Sequence, residues 1–147
     1  MTKQEAVDEW LKALRSGEYK QGKSALRSEK DEYCCLGVLS NLQLDTAGCK
    51  WVPNGDVYEL TGAPGYFRIG TVLEEIRSTV GLRDHRGGFT STRELRAKAL
   101  AKGIKLPEHD GWDNEAFSLI ELNDTLGWSF SQIADLIELH PPNLFDW

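Results

Sequence analysis

The sequence predicts a mostly helical α+β domain of about six helices with a small antiparallel sheet. Three observations support this class: apolar stripes that begin at capping residues, a nearly continuous apolar run starting at Cys34-Cys35, and an Asn54-Gly55 turn signal. A chain of 147 residues is long enough to bury a core. We therefore expect residues 1–147 to form a single domain.

The starts of four helices are predicted from capping boxes, in which Ser or Thr is followed three residues later by Glu or Gln. The four pairs are Thr2 with Glu5, Thr71 with Glu74, Ser91 with Glu94 and Ser129 with Gln132. Each pair precedes an apolar stripe of helical spacing. The first three stripes end at Gly17, Gly81 and Gly103, and Pro141 stops the fourth.

A fifth helix is predicted near the carboxyl end of the chain, from Asp113 to Leu126. Asp113 is a suitable N-cap, and Trp112 is placed to pack on Phe117 as a hydrophobic staple. Gly127 would end this helix.

The sixth predicted helix runs from Tyr33 to about Leu42 and is apolar on nearly every face. Such a helix belongs in the centre of a core. Gly37 lies inside it, where glycine costs about 1 kcal/mol relative to alanine. We therefore expect a close packing contact at Gly37.

Strands are expected in the remaining segments. Residues 50–52 and 57–60 flank the Asn54-Gly55 turn signal and should pair as a hairpin. Residues 24–28 and 104–106 are further short candidates. Together these segments would form the small sheet.

Charge is strongly segregated along the chain. The net charge is −6, yet residues 106–147 contain nine acidic residues and no Lys or Arg. Basic residues crowd the end of the first helix and the segment after it. In one interpretation this basic segment packs against the acidic helices. In the other it forms a site for a phosphate, a nucleotide or an acidic protein surface. The candidate ligand-binding residues are Tyr19, Lys20, Gln21, Lys23, Arg27 and Asn123.

Residues 119–139 have the helix, Gly-containing turn and helix of a DNA-binding helix-turn-helix. A recognition helix needs cations for phosphates. Its second helix instead carries Asp135 and Glu138, and no Lys or Arg follows Lys105. A nucleic-acid partner is therefore disfavoured, and we expect a helical hairpin that packs the core or contacts a protein.

The cysteine and histidine pattern predicts neither disulfides nor a metal site, and no cofactor motif is present. Three cysteines, two of them adjacent, make a poor disulfide framework. Cys49 and the three histidines lack the short spacings of zinc ligands.

Cys34 is nevertheless a candidate nucleophile, because a helix N-terminus favours a thiolate. The run Tyr-Cys-Cys-Leu-Gly-Val-Leu resembles the Asp-Cys-Ser-Gly-Leu-Val stretch of bacterial papain-like cell-wall peptidases, which implies a cysteine hydrolase with Cys34 as nucleophile. His85 is the candidate base by sequence order. The alternative is that both cysteines are small hydrophobes in a core helix.

Two stretches of the chain resemble a group of small phage and prophage proteins. Residues 10–22 and 33–39 match their WxxALRSGxYxQG…YCCLGVL opening, and residues 122–138 match their LND…SFxxIAxxIE close. Residues 84–112 have no counterpart, so they are predicted to be an insertion. The resemblance implies a non-catalytic accessory protein that binds a small anionic, nucleotide-like ligand or a host protein.

Neither a signal peptide nor a membrane span is predicted, so we expect a cytoplasmic protein, in the host cell if it is phage-encoded. The tail, residues 140–147, is apolar. It is expected to fold over the core, or else to serve as an extended peptide for a partner or a second subunit in a homo-oligomer.

Overall fold

The structure is a computed structural model that describes residues 1–62, 67–68, 71–107 and 114–147. Its helices are α1 (Lys3–Ser16), α2 (Cys35–Leu42), α3 (Leu44–Ala47), α4 (Glu74–Val80), α5 (Arg93–Ala101), α6 (Leu119–Asp124) and α7 (Phe130–Glu138). Its strands are β1 (Lys20–Gln21), β2 (Glu32–Tyr33), β3 (Lys50–Asn54), β4 (Val57–Thr61), β5 (Phe67–Arg68), β6 (Gly88–Ser91) and β7 (Glu115–Ser118). The predicted α+β class is confirmed, and none of the described helices has the length and apolar character needed to cross a bilayer.

The strands form small, separate sheets. The predicted hairpin is present as β3 and β4, which pair antiparallel, and β5 extends it. Strands β6 and β7 pair antiparallel, whereas β1 and β2 pair parallel. The prediction of one antiparallel sheet therefore missed both the parallel pair and the β6–β7 ribbon.

Helix α2 lies at the centre of the core, as predicted. Cys35, Leu36 and Leu39 have no accessible surface, and the Trp10 indole of α1 donates a hydrogen bond to the Cys35 carbonyl at 3.0 Å. The expected close contact at Gly37 is also confirmed. A Cβ at that position would overlap the Leu26 carbonyl group, so only glycine lets this loop cross α2 so closely.

Two of the four predicted capping pairs are present in the structure. The Thr2 hydroxyl accepts from the Glu5 amide, and Ser129 and Gln132 form a complete capping box at the start of α7. The other two helices exist but begin differently. Leu73, not Thr71, is the N-cap of α4, and its side chain makes no capping bond.

The predicted cap at Ser91 is displaced by one residue. Ser91 is the last residue of β6 and pairs with Glu115, so its neighbour Thr92 caps α5 instead. The Thr92 hydroxyl accepts from the Leu95 amide at 3.1 Å. Because Ser91 is held in the strand ladder, the adjacent Thr92 takes the N-cap position of α5.

The predicted helix from Asp113 to Leu126 is wrong over its first part. Residues 115–118 form β7, and α6 begins only at Leu119, after Ser118 as N-cap. The ladder with β6 stabilises this segment as a strand. Helix signals in the local sequence contain no information about such a distant partner. Asp113 and its proposed staple partner Trp112 lie outside the described residues.

Two predicted strands are absent from the described structure. Residues 104–106 have no regular structure. Residues 24–28 contribute only isolated bridges, Arg27 with Tyr33 and Ser28 with Val57. Ser24 has a φ of +68°, a left-handed conformation that breaks an extended strand.

The tail folds back over its own chain. Leu144 has no accessible surface and Phe145 is 4% exposed. The Arg83 amide donates to the Leu144 carbonyl at 2.9 Å, and the Asp146 amide donates to the Gly81 carbonyl at 2.8 Å. Leu144 and Phe145 therefore belong to the core of the described structure.

Candidate functional site

Four of the six predicted ligand-binding residues fall into two groups. In the first, the Gln21 amide donates to the Asn123 side-chain oxygen at 2.9 Å and to the Trp128 carbonyl at 2.7 Å. The Asn123 amide in turn donates to the Gly22 carbonyl at 2.8 Å. Asn123 has no accessible surface, so this pair connects β1 to the region between α6 and α7.

The second group surrounds Arg27. Its guanidinium carbon lies 3.9 Å from the ring centroid of Tyr58 and 5.7 Å from that of Trp51. Asp31 accepts from the same guanidinium at 2.6 Å. The Tyr19 hydroxyl accepts from an asparagine amide at 3.0 Å. These contacts already engage the groups that were expected to hold a ligand.

Lys20 and Lys23 remain exposed. Neither takes part in an ion pair within the described part of the chain. The Lys23 ammonium reaches toward Gly127, at 3.9 Å from the place a Cβ would occupy. Two of the predicted ligand-binding residues, Lys23 and Asn123, each have a neighbour, Ser24 and Asp124, that lines an open cavity.

That cavity has a volume of about 760 Å³ and lies between α6, β7 and the loop before β6. Its polar lining residues are Ser24, Thr71, Arg86, Ser118, Glu121, Asp124 and Thr125. A second cavity of about 510 Å³ shares Thr71, Arg86 and β7 residues with it and adds Asp84 and His85. We call the two overlapping cavities the cleft.

Arg86 is the principal cation of the cleft. Its main chain is fixed, because its amide donates to Asp84 at 2.8 Å and its carbonyl accepts from Ile120 at 3.3 Å. Its exposed side chain has no hydrogen bond or ion pair to any described residue. The backbone therefore presents an unengaged guanidinium to the cleft.

The lining of the cleft also carries acidic side chains. Glu121 and Asp124 lie three residues apart on α6, and both line the larger cavity. Asp124 accepts from the Asn123 amide at 2.8 Å, which orients its carboxylate. With Asp84, the cleft thus offers a guanidinium, three carboxylates, several hydroxyls and the apolar side chain of Phe117.

The two predicted catalytic residues have different environments. His85 lines the smaller cavity, and its Nδ1 lies 2.9 Å from the Val72 carbonyl oxygen. A carbonyl only accepts, so Nδ1 carries the proton. Cys34 is buried, and no hydrogen bond joins it to His85 in the described structure.

Burial also decides the state of the thiols. Desolvation raises the pKa of Cys34 to about 12 and moves the pKa of Cys35 well above its usual value. Nucleophilic cysteines have a lowered pKa, so that a thiolate exists near neutral pH. The environment of Cys34 has the opposite effect on its thiol.

Comparison with known proteins assigns the chain to a family. The model of a domain of unknown function, DUF8296, matches residues 2–140. The chain belongs to the DUF8296 family. No curated protein and no solved structure matches it. All the cleft residues named above fall within the matched range of this DUF8296 protein, whereas residues 141–147 lie beyond it.

The described residues of this DUF8296 protein include no group of three or more His, Cys, Asp or Glu side chains placed to hold a metal ion. Cys49, the third cysteine, is buried and its thiol lies 3.7 Å from the Ala47 carbonyl. Its pKa is raised, chiefly by burial.

Sequence reasoning missed Arg86 and Glu121 as site residues in this DUF8296 protein. Arg86 follows His85, which was selected, but nothing local shows that its side chain stays unengaged. In the sequence, Glu121 is one of several acidic residues after residue 105, and nothing local distinguishes it from the others. The two are brought together because β7 pairs with β6, and that pairing was not predicted.

Proposed function

We propose that this DUF8296 protein is a non-catalytic binding protein whose cleft captures a ligand through an anionic group held by Arg86. The observation that carries the proposal is the unengaged guanidinium of Arg86 in a cavity of about 760 Å³. Ligand sites typically have volumes of about 300–1,000 Å³. Guanidinium groups bind carboxylates and phosphates through paired, charge-assisted hydrogen bonds.

The ligand is expected to have mixed polarity. Glu121 and Asp124 would repel a purely anionic molecule, whereas amide, hydroxyl or amine donors would bind to them. Ser24 supports a built site, since its left-handed backbone is unusual for a residue other than glycine. Such conformations often occur at functional sites.

The contacts of the chain favour binding over the other two hypotheses. A hydrolase needs a reactive thiol, and burial keeps the Cys34 thiol protonated. A DNA-binding regulator needs a cationic recognition helix. In α7, Asp135 and Glu138 instead accept from Arg15 of α1, at 2.7 and 3.0 Å.

The biological setting of the proposal comes from the sequence alone. The resemblance to phage and prophage proteins suggests an accessory protein that acts in the host cytoplasm on a host-derived ligand. An absence of binding to host-derived compounds would count against this setting, whereas the proposed role of Arg86 is tested separately below.

The first experiment measures melting temperature with inorganic phosphate, nucleoside mono- and triphosphates, and acidic peptides as probes. We expect at least one probe to raise the melting temperature of the wild-type protein. Arg86→Gln should bind that probe about tenfold to a hundredfold more weakly, because a hydrogen bond to a charged group is lost.

Lys98→Gln is the matched control, since it also removes one positive charge. Lys98 lies on α5, where it pairs with Glu94 at 3.1 Å and lines neither cavity of the cleft. The Lys98→Gln variant should bind the probe with the same affinity as the wild type. Equal responses of Arg86→Gln and wild type, or no response to any probe, would contradict the proposal.

A further inference from the structure

Strand β7 has two edges, and only one of them pairs with β6. The register places Gly88 opposite Ser118, and the next amide, that of Leu119, donates to the Gly87 carbonyl at 2.9 Å. In an antiparallel ladder this hydrogen bond flanks a non-hydrogen-bonded pair. Gly88 and Ser118 are therefore such a pair.

The two kinds of pair alternate along the ladder. Phe89 and Phe117 are consequently hydrogen-bonded to each other, and Thr90 and Ala116 are not. An independent contact agrees, because the Thr90 amide turns away from β7 and donates to the Pro142 carbonyl at 2.8 Å. The amide and carbonyl of Ala116 must therefore point to the other side, away from β6.

The residues that carry this outer edge of β7 also line the cleft. Ala116, Phe117 and Ser118 line both cavities, and Ala116 is exposed. Within the described ranges no strand pairs with the outer edge. The outer edge of β6, in contrast, is covered by Pro142 and by Asn143, whose amide donates to the Thr90 hydroxyl at 2.7 Å.

The cleft thus combines an outward-facing amide and carbonyl with side chains of both charges. We propose that it receives an extended polypeptide segment, which adds as a strand to the outer edge of β7 with an acidic residue bound by Arg86. This inference rests on the proposed function and names the ligand class of the same site. Addition of a strand to an exposed edge is an established mode of peptide recognition.

The chemistry of the cleft favours a polypeptide over a nucleotide. A peptide presents main-chain amides and carbonyls at the spacing that a strand edge requires, and its neighbour would lie about 4.8 Å away. Its side chains can pair with Arg86 and with the carboxylates of Glu121 and Asp124. A nucleotide has no repeating main-chain groups and brings phosphates close to both carboxylates.

The test begins with a random library of dodecapeptides selected on the immobilised full-length protein. A selected peptide is resynthesised with single N-methyl groups, one residue at a time, and each affinity is measured by titration calorimetry. N-methylation should weaken binding at least tenfold at residues whose amides face β7, and leave it unchanged at the residues between them. This alternation follows from the strand ladder and needs no change to the protein.

A variant of the protein gives a second measurement. Ala116→Pro removes an amide that makes no bond to β6, so the ladder should survive, as prolines do on edge strands. Ala116→Ser retains the amide and is the control. We expect the proline variant to lose peptide binding and the serine variant to retain it, while both melt near the wild-type temperature.

The outcomes separate this inference from the proposed function. If N-methylation has the same effect at every position, or if no peptide binds, the strand inference is overturned. If a nucleotide binds in an Arg86-dependent manner and no peptide does, the inference fails and the proposed function stands. If no probe of either kind binds, both fail.

Discussion

At the residue scale, the adjacent cysteines show how burial changes the meaning of a reactive side chain. Cys34 caps α2 but makes no side-chain capping bond, and Cys35 directs its thiol toward the Leu119 carbonyl at 3.7 Å. Both are enclosed by the core, where a thiolate would be poorly solvated. Their position at a helix N-terminus therefore does not outweigh desolvation.

The thiols should be inert in the folded protein. We expect neither Cys34 nor Cys35 to react with an aromatic disulfide reagent at pH 7.5, because a pKa of about 12 leaves almost no Cys34 thiolate. In denaturant all three cysteines should react. Absorbance of the released thiolate gives the stoichiometry, and rapid modification of one native cysteine would contradict the expectation.

Gly37 is a second position where a single added side-chain carbon should change the stability of the fold. Gly37→Ala should destabilise the protein by about 1–3 kcal/mol or more, because the new methyl group overlaps the Leu26 backbone. Gly62→Ala is the control, since its nearest neighbours would lie 3.4 Å away. Urea unfolding measures both, and equal stability of the two variants would argue against the close crossing of α2.

At the scale of elements, the ion pairs between helices explain part of the charge segregation. Arg15 at the end of α1 bonds Asp135 and Glu138 of α7, and Lys102 beyond α5 bonds Glu138 at 3.1 Å. Glu138 thus joins three helices. The basic end of α1 does pack against an acidic helix, in line with one of the two interpretations of the charge pattern.

This network should give an acid-dependent stability. The Lys102 ammonium, then Arg15, lowers the pKa of Glu138 below 4.5. Its contribution is therefore present above about pH 4.5 and is lost as pH falls through the lower, folded-state pKa. Glu138→Gln should cost about 0.3–1 kcal/mol at pH 7, and this cost should shrink as the pH falls below about 4.5.

Urea unfolding across pH, at low and high salt, measures this difference. Glu94→Gln is the control, because among the described residues Glu94 pairs with Lys98 alone, in an exposed contact within α5. A difference between the Glu138 variant and the wild type that is the same at pH 7 and at pH 2.5 would show that the charge is not responsible.

Elements set by local signals were predictable, and those set by distant partners were not. The Ser129–Gln132 capping box needs only residues within one turn, so its pattern predicts the start of α7 correctly. The segment around Phe117 also has helical signals, but it becomes a strand because Phe89, far away in sequence, is its ladder partner. Propensity within a short window carries no information about such a partner.

At the scale of the whole molecule, the candidate site is assembled from distant segments. Ser24, Thr71, Arg86 and Glu121 come from four parts of the chain and meet at one cleft. The sequence placed a site in the basic segment near Lys23, at one margin of this region. The rest of the candidate site is formed by tertiary packing, which cannot be predicted from composition and residue spacing.

The tail is the second feature of the whole molecule, because it closes the core. Leu144→Ala should cost about 2–5 kcal/mol, since Leu144 has no accessible surface. Leu100→Ala should cost less than about 0.5 kcal/mol, because Leu100 is 61% exposed. Thermal unfolding compares the two, and a small effect of the Leu144 change would show that the tail is dispensable for folding.

The burial of all three native thiols has a practical consequence for the cleft. A fourth cysteine introduced at exposed Thr125 would be the one accessible to a maleimide dye under native conditions. An environment-sensitive fluorophore attached there would report occupancy of the cleft directly. Such a sensor needs no cysteine-free background, so ligands can be screened by fluorescence on an otherwise native chain.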